Sequence, residues 1–196
     1  MRNIKTLLAA LLLFSCTPKE EITCYTDHVD PKIGSGGHGH VFVGANVPFG
    51  MVQLGPTSIP QEWDWCSGYH DSDSTVIGFS HTHLSGTGIG DLFDITVMPV
   101  VGEVTYGRGR EEDPSTGMWS YADRSREVAR PGYYSVPLTR YGITAEMTAT
   151  NRVGINRQCI LHLFSFCPGS YYQIGRNSHE GVKNCPDYRK QPCRRR

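Results

Sequence analysis

The sequence has no excess of either charge. Nineteen lysines and arginines face nineteen aspartates and glutamates in 196 residues. That removes any electrostatic case for nucleic acid or an acidic membrane surface as a partner. Cysteine is nearly missing from the body of the chain, where Cys24 and Cys66 stand alone before residue 155. No pair among the seven cysteines has CxxC or Cys/His spacing, which excludes a zinc site of known pattern. The glycine-rich stretch Ile33–Gly50 has neither the GxGxxG order nor a Gly-Lys-Ser/Thr. Without these, and without a following helix to hold an anion, it is not a nucleotide-binding loop. Ser85 lies between Leu84 and Gly86 rather than in a GxSxG turn, which argues against a serine nucleophile. There is no internal repeat, and beyond the N-terminal apolar run no segment keeps a helical period.

What the chain does have is turn chemistry, with 22 glycines and 12 prolines. Hydrophobic residues make up 38% and charged residues 19%, the balance of a folded chain. From Val29 to Ile155 it reads as short strands between glycine turns. Val41–Val43 and Met51–Leu54 are short apolar pieces, and Ile95–Val101, closed by Gly102, is expected as a buried strand. The clearest pair is at 133–150. Tyr134, Val136 and Leu138 share one face, a turn follows at Arg140-Tyr141-Gly142, and Ile143, Ala145, Met147 and Ala149 alternate with polar residues. Strict period two predicts half-buried antiparallel strands. Pro137 predicts an edge strand or a bulge there. The fold class is all-β, most simply a sandwich.

The ends differ from this body. Arg2 and Lys5 precede the apolar run Leu7–Phe14, which ends at Ser15-Cys16. This is the order of a secretory signal peptide, too short to span a bilayer. Residues 1–16 are therefore expected to be a lipoprotein signal, with Cys16 the lipidated residue and 17–24 a polar tether. The protein is then exported and meets the membrane only through its lipid, at the outer membrane or cell surface, with the periplasm as the alternative. From Asn156 strand alternation is lost. Arg157, Arg176, Lys183, Arg189, Lys190 and Arg194–Arg196 face only Glu180 and Asp187, and Cys159, Cys167, Cys185 and Cys193 crowd together. Residues 156–196 are expected to lie outside the fold, as an out-of-frame tail that leaves the sandwich incomplete.

Three stretches could carry chemistry. The glycine loop would bring His38 and His40 to a polar pocket. In "WDWCSGYHDSDS", Trp63, Trp65 and Tyr69 lie beside Asp64, His70, Asp71 and Asp73. Flat aromatic faces beside hydroxyl-accepting carboxylates suit a sugar. Asp71 and Asp73 also have a spacing seen in calcium sites, but the twelve-residue EF-hand order is absent. In "GFSHTHLSGTG", His81 and His83 would point the same way from a strand. They lack a nameable third zinc ligand.

In order, the blocks "VDPKIGSGGHGHVFVGANVPFGMVQLGP", "WDWCSGYHDSDSTVIGFSHTHLSGTGIGDLFDITVMPVVG" and "PGYYSVPLTRYGITAEMTATNRVGI" resemble the N-terminal domain of glycoside hydrolase family 92. The similarity covers residues 25–155. It implies a β-sandwich of the galactose-mutarotase-like supersandwich type, packed in the family on an (α/α) barrel. It further implies a calcium-dependent, inverting exo-α-mannosidase, with a Glu acid, an Asp base and most of the calcium shell in the barrel. On the matching positions Trp65, with Cys66 beside it, would meet the leaving-group sugar. His81, His83, Ser85 and Gly86 would lie on the loop facing the cleft, which makes "GFSHTHLSGTG" a pocket rim rather than a metal site. The partners implied are α-mannoside glycans and the barrel domain. A stand-alone carbohydrate-binding module and a non-functional gene fragment are the rival expectations.

Overall fold

The computed structural model describes residues 24–160, except 87, 105, 108, 111, 114 and 115, together with the backbone of Ser170–Gln173. The expected signal peptide, Cys16 and almost all of the expected tether lie outside the described residues. Among the described residues the secondary structure is nine short strands and three single turns of 3₁₀ helix, at Tyr25–His28, Trp63–Trp65 and Arg124–Arg126.

The largest element is an antiparallel sheet of β5 (Val128–Arg130), β6 (Tyr133–Leu138), β7 (Ile143–Ala149), β8 (Gly154–Ile160) and β9 (Ser170–Gln173), in that spatial order. The hairpin expected at 133–150 forms, with Tyr134 opposite Met147, Val136 opposite Ala145 and Leu138 opposite Ile143. These six side chains share one face and are buried, as period-two alternation requires.

Two small ribbons accompany the sheet. β1 (Gly55–Thr57) pairs with β3 (Gly78–Ser80), and β2 (Thr75–Val76) pairs with β4 (Ser120–Tyr121). Val43, Ala45, Leu54, Val76 and Phe79 from these ribbons and their flanking segments join the apolar face of β6 and β7 in one core. Sheet face against ribbons and loops gives the all-β sandwich. Leu54 sits at its centre, and a side chain on Gly154 would meet it at 2.3 Å. The first residue of β8 thus stays a glycine to let Leu54 pack.

Three expectations need correction. Ile95–Val101 is not a buried strand: Ile95 is 59% and Val101 44% exposed. Only Val97 pairs, with Phe79. Ile95 has a left-handed backbone (φ 53°), which turns the chain out of the extended form. Pro137 does not mark an edge strand or a bulge. β6 lies between β5 and β7, and its regular register with β7 includes Pro137 opposite Thr144. Pro137 is tolerated because the pairing of β6 with β5 reaches only as far as Ser135, opposite Val128. The Pro137 carbonyl turns away from β7 to accept from the Asp123 N–H, so no ladder donor is missing on the β7 side.

The third correction concerns the boundary at 155/156. β8 crosses it and pairs with β7 along its whole length. Alternation persists there in burial but not in hydropathy, because the inward residues include Asn156 and Gln158, 3% and 8% exposed. Arg157, counted above with the basic tail, pairs with Glu146 across β7 and β8. β9 then adds a further strand by backbone pairing to residues 155–158. Residues 161–169 and 174–196 lie outside the described residues.

Candidate functional site

The three chemistry-bearing stretches meet around His40. The glycine loop closes on itself where the Val41 N–H donates to the Gly34 carbonyl at 3.2 Å. A Cβ on Gly39 would stand 2.0 Å from that carbonyl oxygen, so only glycine fits. The loop ends at His40, itself left-handed (φ 54°). The His40 carbonyl accepts from the Gly86 N–H at 2.7 Å and from the Ser67 hydroxyl. One carbonyl thus ties the rim loop and the tryptophan turn to the glycine loop.

The tryptophan turn supplies the aromatic surface. The half-buried Trp65 ring stacks on His70, with centroids 4.1 Å apart and planes 18° apart. Its Nε1–H donates to Asp73 Oδ2 at 2.8 Å. Trp63 is exposed, with His40 at its edge. Cys66 is buried and its carbonyl accepts from the Asp91 N–H at 2.9 Å.

The rim loop divides into anchors and rim. β3 ends at Ser80, so His81 and His83 do not sit on a strand. They are only 7% and 6% exposed. His81 Nδ1 meets the Ile95 carbonyl at 2.8 Å, and its Nε2 is 3.3 Å from Asn156 Nδ2 on β8. His83 stacks parallel to Phe42 at 5.2 Å. Its Nε2 is 3.2 Å from the Gly55 carbonyl and its Nδ1 3.3 Å from Asp91 Oδ2. The two imidazoles hold the loop from inside. Ser85 and Gly86 are exposed, and Ser85 borders a largely apolar groove of about 410 Å³ with Val29, Val41 and Phe42.

The carboxylates at this junction are already engaged. Asp64 Oδ1 takes His38 Nδ1 at 2.8 Å and His40 Nε2 at 3.0 Å. These hydrogen bonds, that of His38 first, hold the Asp64 carboxyl below its usual range, and the same bond raises the His38 imidazole. Burial pushes Asp91 up, but His83 and the N–H groups of Leu84 and Phe93 outweigh it, and its carboxyl also lies low. Asp73, buried, accepts from the Thr75 N–H and hydroxyl and from Gln61 besides Trp65. Among the described residues no group of three or more His, Cys, Asp or Glu could hold a metal ion. Asp71, the partner of Asp73 in the calcium-like spacing, is exposed.

The His38–Asp64 contact makes a pH-dependent tie between the glycine loop and the tryptophan turn. The His38 contribution is full below the ordinary imidazole value of about 6.5 and fades as pH rises through its raised value. The Asp64 contribution is full above about 3.8 and fades as pH falls through its lowered value. The tie is therefore strongest between those limits. An NMR titration of the His38 ring should show a midpoint above that of a free imidazole, returning toward it in Asp64→Asn. Identical midpoints in the two proteins would refute the coupling.

Sequence reasoning named the three stretches but missed Phe42, Asp91 and Asn156 as the partners that fix them. The His81–Asn156 contact joins residues 75 apart, and no local pattern announces it.

Comparison with known proteins identifies the family of the domain. Residues 28–158 match the model of the glycosyl hydrolase family 92 N-terminal domain. A protein of Arthroderma benhamiae described as an uncharacterized secreted glycosidase is 31% identical over 134 residues, 65% of this chain and 16% of that one. The solved structure of a family GH92 alpha-mannosidase from Bacteroides thetaiotaomicron is 44% identical, with a TM-score of 0.66, over 69% of this chain and 18% of that one. A GH92 inverting mannosidase of the same organism, 22% identical with a TM-score of 0.56 over 74% of this chain and 19% of that one, shares the fold. The chain spans less than a fifth of the length of each. It belongs to glycosyl hydrolase family 92, and what it carries is that family's N-terminal domain.

Proposed function

We propose that this domain forms one wall of the substrate pocket of an inverting exo-α-mannosidase, and that the acid and base stand in another domain. The observation that carries this is the state of its carboxylates. A glycosidase needs a general acid with a raised pKa and a base across the sugar ring with room for water between them. Asp64 and Asp91 are instead held low, and Asp73 is consumed by four hydrogen bonds. These are positioned to shape a surface, not to transfer protons. Calcium, which the family resemblance implies, would likewise be held mostly by the other domain. The described residues offer no fitting cluster for it.

The sugar-facing groups in this reading are Trp65, Ser85 and Gly86, with Cys66, His81 and His83 behind them. A ring face stacks on sugar C–H groups, and exposed backbone and hydroxyl groups meet sugar oxygens. A wall without its opposite half buries little of a ligand. Binding of α-mannobiose should therefore be weak, with Kd on the order of millimolar. An NMR titration should perturb Trp65 and Ser85–Gly86, and Trp65→Ala should abolish the response. Perturbations confined to residues remote from Trp65 would sink this reading.

We also propose export with lipid attachment at Cys16, from the basic–apolar–Cys order of the N-terminus. Cys16→Ala should shift the protein from the membrane to the soluble fraction. Unchanged membrane retention contradicts it.

A further inference from the structure

We propose that Asp73 is a positioning residue for sugar recognition. It fixes the plane of the Trp65 indole while His70 closes one of the two ring faces, so that a single face is left for the ligand. The inference rests on the pocket-wall reading and adds how that wall is set. A tryptophan on a one-turn 3₁₀ helix is poorly determined by its backbone alone, since two side-chain torsions orient the ring. Here both are fixed from outside the turn. The indole Nε1–H donates to Asp73 Oδ2 at 2.8 Å. The opposite constraint is the stacked His70 ring at 4.1 Å.

Each constraint is itself anchored. His70 is held through Nδ1 by the Ser72 hydroxyl at 2.7 Å, and its Nε2 lies 3.3 Å from the Gly37 carbonyl. Asp73 is only 8% exposed. Its Oδ1 takes the Thr75 N–H at 2.7 Å, and its Oδ2 is shared with Thr75 Oγ1 at 2.9 Å and Gln61 Nε2 at 3.0 Å. The Asp73 backbone is pinned as well, because its carbonyl takes both Nε and Nη2 of Arg124, at 3.2 and 2.6 Å. The indole therefore hangs on a carboxylate that cannot follow it. A stacking platform held this way keeps its rotamer when empty, which lowers the ordering cost of binding a sugar.

The test uses the whole chain and α-mannobiose, followed by NMR of the indole N–H groups. Trp65→Phe identifies the Trp65 signal. Asp73→Asn keeps the size of the side chain but can accept at only one of the two oxygen positions. It should move the Trp65 indole signal and speed its hydrogen exchange, leave the Trp63 and Trp119 signals in place, and weaken α-mannobiose about three- to tenfold. Gln61→Ala removes one anchor of the same Asp73 oxygen but keeps the bond to Trp65, and should change the Trp65 signal and the affinity less than Asp73→Asn does.

Equal weakening by Gln61→Ala, or an unmoved Trp65 signal in Asp73→Asn, overturns the positioning role. So does a moved signal with unchanged affinity. A wild-type domain that binds no α-mannobiose, yet whose Trp65 signal responds to Asp73→Asn, sinks the sugar reading and leaves Asp73 as the residue that sets the ring.

Discussion

Glu127→Ala should cost about 3–5 kcal/mol of stability, the range for removing one partner from a buried charge network. The Glu127 side chain is fully shielded from solvent, with Lys32 Nζ at 2.5 Å and Arg124 Nη1 at 2.6 Å. It also accepts from the hydroxyls of Tyr69 and Tyr134. Arg124 in turn lies over the Tyr69 ring at 4.4 Å. Deleting the carboxylate leaves a largely shielded guanidinium without its counter-ion and two hydroxyls without their acceptor.

Domains of this size are stable by only about 5–15 kcal/mol, so the variant should be largely unfolded in mild denaturant. The same network sets an acid limit. Burial raises the Glu127 carboxyl, but the Arg124 and Lys32 charges and the Tyr134 hydroxyl outweigh it, and the net shift is downward. Its contribution is thus full above the ordinary value of 4.5 and is lost as pH falls through the lowered one. Urea melts of both proteins at pH 7 and pH 3 check this. A Glu127→Ala midpoint equal to wild type at pH 7 would show that the cluster does not hold the fold.

The β6–β7 hairpin was legible in the sequence because period-two alternation and an apolar face coincide there. β8 was not, because its inward face carries Asn156 and Gln158. A polar residue facing inward looks to any hydropathy reading like the end of the strand pattern. Asn156 is explained only by its contact with His81, 75 residues earlier. Ile95–Val101 misled in the opposite direction: an apolar run was read as a strand, while the backbone at Ile95 turns left-handed.

At the site, the residue types of the three stretches were visible but their geometry was not. His81 and His83, expected on the loop facing the cleft, are buried internal ties of that loop. Asp64 and Asp73, which the sequence offers as acceptors for sugar hydroxyls, are hydrogen-bond hubs within the protein. The Glu127 cluster left no local signature, since Lys32 and Tyr69 reach it from distant parts of the chain.

The largest expected effect is on catalysis. General acid–base assistance contributes roughly 10²–10⁴-fold per group. With the acid and base of an inverting displacement in another domain, as proposed above, this domain alone has no route to useful turnover. Asp64 and Asp91 are held too low to donate a proton near neutrality, and both Asp91 oxygens already accept hydrogen bonds. The most direct measurement is therefore release of mannose from α-mannobiose by the purified chain, with and without added calcium, beside Asp71→Asn and Asp91→Asn. The account predicts no release above background in any of them. Robust release by the wild-type chain that disappears in either variant would contradict it and place the catalytic carboxylates in this domain.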